Sequence, residues 1–327
     1  MTTMKAVIRH EYCSPETLRT SEVERPEPGP GDVLVRVHAA GLDQGVWHTA
    51  TGLPYLVRLV GFGVRRPKSP RLGMDLAGTV AAVGRDVTRF RPGDAVFGAC
   101  EGSYAEYALA RPETLVPLPA NTTFERAAAV PVSGLAALQG LRDRGELREG
   151  EEVLILGAGG GVGTFAVQIA KALGARVTGA CGGAKVDLVR SIGADHVIDH
   201  TKEEPTAGSR RYDLILDMGG QRSLAALRRI LRPRGRLVLV GSEVGGRWTG
   251  GAGRQVRAQL WSPFVRQKLR GLLSRTREAD LRYLAELIET GALTPVVERS
   301  YPLDELPAAI AHLRAGRAAG KLVISVA

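Results

Sequence analysis

The sequence predicts an α/β protein: a doubly wound parallel sheet joined to a smaller, β-rich domain. Three observations carry this. The stretch 153–163 reads VLILGAGGGVG, four apolar residues running into a glycine turn, and FAVQIAKALGA follows with apolar residues at helical spacing. Beyond it, strand-like and helix-like segments alternate in the pattern of a parallel sheet. Before Phe124 the chain instead carries short strands split by Pro and Gly.

In chain order, Lys5–Arg9 and Val33–His38 read as strands on either side of RPEPGPGD. GTVAAVG (Gly78–Gly84), DAVFG (Asp94–Gly98) and YAEYALA (Tyr104–Ala110) are further short strands, and together they suggest a barrel-like domain. ERAAAVPVSGLAALQGL (Glu125–Leu141) is Ala-rich and helical, interrupted at Pro131. After the glycine turn, Ala175–Cys181, Asp195–Asp199, Tyr212–Met218 and Gly235–Gly241 are strands, with KVDLVRSIGA and LAALRRILR as helices between them. Leu260, Phe264, Leu269 and Leu273 recur at near-helical spacing around Pro263, which predicts two short helices. DLRYLAELIETG and LDELPAAIAHLRAG are helices, and KLVISV (Lys321–Val326) closes the chain as a strand.

The glycine turn is the chemically informative motif. Strand, turn and helix form the phosphate-binding start of a Rossmann βαβ unit. The strict G-x-G-x-x-G spacing fails from Gly157, because Val162 holds its last position; from Ala158 the variant A-x-G-x-x-G is met. Gly160 lets the main chain approach a pyrophosphate, and Gly163 lets the helix pack on the strand. The pyrophosphate then sits at the positive helix N-terminus, beside Gly161 and Val162.

Composition narrows the function classes. The 327 residues suffice for two domains. The N-terminus, MTTMKAVIRHEY, has no apolar core of a secretory signal, and no run approaches the ~20 apolar residues of a membrane span. The three cysteines, Cys13, Cys100 and Cys181, are scattered. They point to a reducing cytoplasm, with neither a disulfide framework nor a cysteine-based metal site. The net charge is +10, and no acidic residue lies between Glu243 and Glu278, a stretch with Arg247, Arg254, Arg257, Arg266, Lys268, Arg270, Arg275 and Arg277. Such a face can meet nucleic acid, anionic membrane or an anionic substrate. With no aromatic platform or RNA-binding motif beside it, a solvated helix face is the simpler reading, and neither a nucleic-acid nor a membrane partner is expected.

Across nearly its whole length the chain resembles the medium-chain dehydrogenase/reductase superfamily. The resemblance rests on PEPGPGDVLVRV, GMDLAGTVAAVG, FRPGDAVFG, YAEY, AAAVPVSGLAAL, GAGGGVG, GADHVID and GKLVISV. It is most similar to the zinc-independent quinone oxidoreductase branch. The resemblance implies a GroES-like catalytic domain over 1–123, a Rossmann cofactor domain over 124–265 and a segment, 266–327, that returns to the catalytic domain, with the cofactor in a cleft and a homodimer as the assembly. Zinc-dependent relatives place a Cys where this chain has Asp43 and Gly-His-Glu where it has Gly73-Met74-Asp75. They also insert a four-cysteine lobe where only 99–103 stands. Met74 is a poor ligand and Cys100 alone makes no site, so no metal is expected. His38 and His48 read as surface or packing residues.

The same positions bear on cofactor and chemistry. An NAD-specific site ends its second strand in Asp or Glu; here the strand end reads Cys181-Gly182-Gly183-Ala184-Lys185. With no carboxylate there and Lys185 following, as in relatives that bind a 2′-phosphate, NADPH is the expected cofactor. The plainer alternative is that Lys185 begins a surface helix. His200 replaces the family's usual Tyr near the adenosine, and Gly241 ends the last strand of the unit. Without zinc, the architecture leaves hydride transfer to a quinone or a polarised C=C. Relatives carry Asn where Asp43 stands and Thr where Ala136 stands. A neutral Asp43 carboxyl would donate a hydrogen bond or proton, whereas a solvent-facing Asp, or one that merely caps a helix, would have no catalytic part. Tyr55 matches a position where similar enzymes place an active-site Tyr, and Trp47 either walls a pocket or packs. The alternatives are an alcohol or ketone dehydrogenase, which would retain zinc, and a nucleotide-binding protein with a non-redox or nucleic-acid-partner role.

Overall fold

In the computed structural model, residues 2–241 and 246–326 are described; Glu243, which bounds the stretch without acidic residues, lies outside them. The chain divides into two compact units, 1–135 with 276–291 and 295–327, and 136–275 with 292–294.

The first unit opens with a two-stranded antiparallel pair, β1 (Thr3–Val7) and β2 (Thr20–Glu24). β3 (Val33–Leu42) is longer than the sequence pattern foretells, because the polar break at His38 is absorbed within one strand. α1 (Gln44–Thr51) starts at once, capped by Asp43, and ends at Gly52, which takes a left-handed φ of 64°. The short α2 (Tyr55–Val57) follows. Then come β4 (Asp75–Val83), β5 (Ala95–Ala99), β6 (Tyr107–Ala110), β7 (Leu115–Pro117), α3 (Phe124–Ala128) and α4 (Pro131–Leu138). Pro131 starts a new helix, as its missing N–H allows.

The second unit holds β8 (Glu152–Leu156), α5 (Gly161–Ala172), β9 (Arg176–Cys181), α6 (Val186–Ser191), β10 (His196–Asp199), β11 (Tyr212–Asp217), α7 (Leu224–Ile230), β12 (Leu231–Leu239), α8 (Ala252–Trp261) and β13 (Lys268–Gly271). All strand pairs are parallel and the order is β10-β9-β8-β11-β12-β13. Counted from β8 as first, this is 3-2-1-4-5-6, the doubly wound order that places ligands at the carboxyl ends of the strands beside the reversal between β8 and β11. The α/β prediction holds.

The stretch after Arg254 departs from expectation. One α-helix forms there, continued by a 3₁₀ turn at Ser262–Phe264, and Lys268–Gly271, expected as part of a second helix, is the edge strand β13. Leu269 alone turns inward, at 1% exposure, while Leu260 and Phe264 stand 64% and 86% exposed. The apparent helical spacing therefore joined residues that share no buried face. Pairing of β13 with β12 offered the backbone hydrogen bonds that an isolated short helix would leave open.

The chain then adds α9 (Glu278–Glu289), β14 (Val297–Pro302), α10 (Leu306–Arg314) and β15 (Lys321–Ser325) to the first unit. Its sheet runs β14-β15-β3-β4-β5-β7, with β6 also paired to β3. The core of this unit is the apolar set around Val35, Leu42, Leu76, Val96 and Leu322. No helix among the described residues is long and apolar enough to cross a membrane.

Candidate active site

The glycine turn lies at the carboxyl end of β8. Gly157 takes φ 89°, a left-handed value that suits glycine. Ala158 is fully buried, and Gly160 caps α5. The glycines at 160 and 163 answer to different demands. A Cβ on Gly163 would stand 2.1 Å from the Gly157 carbonyl oxygen, so the backbone itself excludes a side chain there. A Cβ on Gly160 would meet only that oxygen, at 3.4 Å, and the Gly160 backbone is extended (φ −94°, ψ −179°). The protein leaves the space in front of Gly160 open. The amides of Gly161, Val162 and Gly163 belong to the first turn of α5, whose N–H groups project from the helix end. Space and donors together fit a pyrophosphate.

The end of β9 comes to the same place. Gly182 follows Cys181, and Lys185 closes a short 3₁₀ turn whose amide bonds Gly182 O at 2.9 Å. The Lys185 stem lies on the glycine turn: a Cβ on Gly159 would be 2.8 Å from Lys185 Cβ. His200 sits next to Gly182, its ring 3.8 Å from the position of a Cβ there. Ala158, Gly160, Gly161, Val162, Gly163, Gly182, Lys185 and His200 are thus gathered at the carboxyl ends of β8 to β10. Gly241 lies just past β12, where a Cβ would come 3.8 Å from Met218 O; Met218 in turn lies over Gly157.

Two acidic residues at this edge escaped the sequence reading. Asp199 ends β10 in register with Cys181, and its Oδ2 lies 2.9 Å from a Cβ position on Gly183. A carboxylate therefore does stand beside the second strand, contributed by its neighbour. Hydrogen bonds from the Thr201 hydroxyl and amide hold it below the usual carboxylate range, and Lys202 Nζ is 3.8 Å away. A search confined to the residues after Cys181 misses it; register between adjacent parallel strands finds it. Asp217, at the end of β11, is 1% exposed; Arg254 Nη2 approaches its Oδ2 at 2.6 Å and the Gly220 amide donates to Oδ1. Arg254 therefore leaves the solvated basic face, while Lys268, still exposed, and Arg270 both pair with Glu146 at the surface.

In the first unit Asp43 serves the fold directly, since its Oδ1 accepts the Gly45 amide at 2.6 Å as the cap of α1. Its Oδ2 is buried and has no hydrogen-bond partner among the described residues. Tyr55 begins α2 beyond the other end of α1, its ring 4.9 Å from the Arg58 guanidinium. Trp47 packs on the apolar core with Arg314 over its ring at 4.3 Å.

Met74, His38 and Cys100 make poor metal ligands as they stand. Met74 is a thioether at 42% exposure. His38 faces the Thr79 hydroxyl at 3.0 Å and stacks on Phe124, with burial pulling its pKa down. Burial holds the Cys100 thiol well above its ordinary value, against formation of a thiolate. Among the described residues no group of three or more His, Cys, Asp or Glu is arranged around a common point.

Comparison with known proteins agrees with this architecture. The family described as alcohol dehydrogenase GroES-like domain matches residues 29–120, and that described as zinc-binding dehydrogenase matches 192–324. The pig quinone oxidoreductase is 32% identical over 341 residues, covering 98% of this chain and 97% of its own. The spectinabilin polyketide synthase system protein NorB of Streptomyces orinoci is 36% identical over 312 residues; these cover 91% of this chain but only 13% of that longer protein. The solved quinone oxidoreductase of Coxiella burnetii superposes with a TM-score of 0.86 at 28% identity over the full length of both chains. A nicotinamide-dependent oxidoreductase by fold and kinship, the chain belongs to the medium-chain dehydrogenase/reductase superfamily, in its quinone-oxidoreductase-like branch.

Proposed function

We propose that this chain is an NADPH-dependent, zinc-independent reductase that transfers hydride to a quinone or to the activated C=C of an enone. The observation that supports the cofactor choice is the seating of the Lys185 stem on the glycine turn, from which its ammonium would reach a ribose 2′-phosphate. The first-turn amides of α5 would hold the pyrophosphate, and His200 would face the adenosine side. Asp199 would oppose a 2′-phosphate, with the Lys202 ammonium 3.8 Å away offsetting part of that charge. Bound NADPH supplies the hydride. Gly241 would line the nicotinamide side of the sheet edge.

The protein's own part is to orient the substrate and answer the negative charge that develops on it. Hydride addition to the β-carbon of an enone leaves an enolate that needs a hydrogen-bond donor and a proton at its α-carbon. Asp43, in its neutral form, would supply that proton, and Tyr55 a further hydroxyl donor. The unpartnered Oδ2 of Asp43 supports this reading, since its capping duty occupies only Oδ1. The thioether, the engaged His38 and the buried thiol support zinc independence. A homodimer acting in the cytoplasm on a small apolar substrate completes the proposal.

The test is NADPH consumption across a panel of quinones and enones, with NADH in parallel. The match of residues 192–324 to the zinc-binding dehydrogenase family keeps one second reading, an alcohol or ketone dehydrogenase. About one zinc retained per chain would favour that reading.

A further inference from the structure

The most unusual electrostatics in the chain lie inside the first unit, at the junction of β15, β3 and β4. Asp75 opens β4 with no exposure and Lys321 opens β15 with 2%. Charged side chains are rarely buried so completely. The strand registers explain how they meet. Asp75 pairs with Gly41 on β3, and Leu322 pairs with Leu42, so Asp75 and Lys321 flank β3 at its last residues before Asp43. Gly41 keeps the crossing clear: a Cβ there would stand 2.7 Å from Asp75 Oδ2 and 2.4 Å from the Ala128 carbonyl oxygen. Across that gap Lys321 Nζ lies 3.8 Å from Asp75 Oδ2, near enough for attraction and too far for a hydrogen bond.

Three charged atoms here are buried without a hydrogen-bond partner among the described residues: Asp43 Oδ2, Asp75 Oδ2 and Lys321 Nζ. Two carboxylates and one ammonium would leave a net negative charge inside the protein. Uptake of one proton removes it. Burial pushes Asp75 up to about 7, the Asp43 charge adding to the rise while Lys321 and the Val132 amide, which donates to Oδ1 at 3.0 Å, oppose it. The other titratable groups facing the cluster stay neutral near this pH. Burial raises the Tyr104 phenol, whose hydroxyl donates to Gly41 O at 3.0 Å, and burial likewise raises the Cys100 thiol at the end of the strand pairing.

We propose that Asp75 and Lys321 are positioning residues for Asp43: the buried pair takes up one proton, and the charge left on the pair sets the field in which Asp43 acts as donor. This rests on the reading of Asp43 as the proton donor, which is itself a proposal. Asp75 and Lys321 touch neither substrate nor cofactor in this scheme. Because the carboxyls interact, the titration belongs to the cluster as a whole.

The experiment uses the full chain with Asp75→Asn, Lys321→Met and Asp43→Asn, read in two ways. Infrared spectroscopy follows the carbonyl band of a protonated carboxyl against pH, which needs no activity. The wild type should show a band that disappears as pH rises through neutrality. Asp75→Asn should abolish that titration, Asp43→Asn should move it to lower pH, and Lys321→Met should move it up by about one unit or more. In parallel, the pH dependence of kcat should follow the band in Asp75→Asn and Lys321→Met and flatten in Asp43→Asn, while KM for NADPH stays constant, a split that mere loosening of the fold would not produce. If Lys321→Met fails to fold, Asp75→Asn/Lys321→Met leaves no unpaired buried cation, and it should lose the neutral-pH band. A band that survives Asp75→Asn, or no band titrating near neutrality in the wild type, overturns the pair. A correct infrared titration with a pH-independent kcat overturns instead the donor role of Asp43, and with it the service that the pair performs.

Discussion

Replacing two glycines of one turn separates its structural role from its binding role. In Gly163→Ala the new methyl would stand 2.1 Å from the Gly157 carbonyl oxygen, 1.3 Å inside the 3.4 Å where ordinary contact begins. The clash is with backbone on two sides, Gly157 and Ala158, so no side-chain rotation relieves it. Overpacking of this kind costs ~1–3 kcal/mol, and the better helix propensity of Ala returns ~1 kcal/mol of it. The net loss is about 0–2 kcal/mol, and with backbone on both sides of the methyl it falls toward the upper end, lowering the melting temperature by a few degrees. In Gly160→Ala the methyl finds its nearest protein atom at 3.4 Å, on an extended backbone that Ala adopts freely. The entropy gained through the unfolded chain, ~0.4–1 kcal/mol, roughly cancels the poorer capping by Ala. Stability should be nearly unchanged. The methyl would occupy the open space proposed for the pyrophosphate, and a phosphate pushed from the helix end should bind at least ~10-fold more weakly, about 1.4 kcal/mol. Thermal melts of the apo proteins and fluorescence titration with NADPH read the two effects separately. Wild-type affinity in Gly160→Ala, or a wild-type melt in Gly163→Ala, would refute the reasoning.

Three further outcomes are expected. Lys185→Ala should narrow the preference for NADPH over NADH, by ~10-fold for loss of one charge-assisted contact; equal affinities for both cofactors in the wild type would contradict it. Asp43→Asn keeps a side-chain oxygen for the Gly45 amide but cannot titrate, so it should flatten the pH dependence of turnover with NADPH affinity unaltered. An unchanged pH–rate profile would remove Asp43 from the chemistry. Asp75 carries a stability signature independent of catalysis. Its folded-state pKa of about 7 exceeds the ordinary 3.8, so the folded protein binds the extra proton between these values. That contribution is complete below about pH 4 and is lost as pH rises through 7, at up to ~1.4 kcal/mol per pH unit. Denaturant melts should show this slope in the difference between wild type and Asp75→Asn, and parallel curves would rule it out.

The cofactor half of the molecule was legible in the sequence because its signals are local. VLILGAGGGVG and the helix after it lie within one βαβ unit, where Gly157 and Gly163 have local backbone reasons to be glycine. The errors arise where the deciding contact is distant in sequence. β13 forms because β12 offers it an edge, a fact absent from the spacing of Leu260, Phe264, Leu269 and Leu273. Asp199 flanks the end of the second strand only through parallel pairing with Cys181. Asp75 and Lys321 are separated by most of the chain and meet across Gly41. The available signal was a charged residue opening an otherwise apolar strand in both DLAGTVAAV and KLVIS, since a charge that starts a buried strand needs a partner.

The central claim, zinc-free hydride transfer from NADPH to a quinone or enone, is tested most directly on chelator-treated protein. NADPH deuterated at the transferable position is mixed with the enzyme and each member of the panel, and the products are examined by mass spectrometry and NMR. The account predicts oxidation of NADPH at an undiminished rate after zinc removal, with deuterium at the β-carbon of a reduced enone or two-electron reduction of a quinone. No oxidation with any acceptor, or activity lost on chelation and restored by zinc, would contradict it.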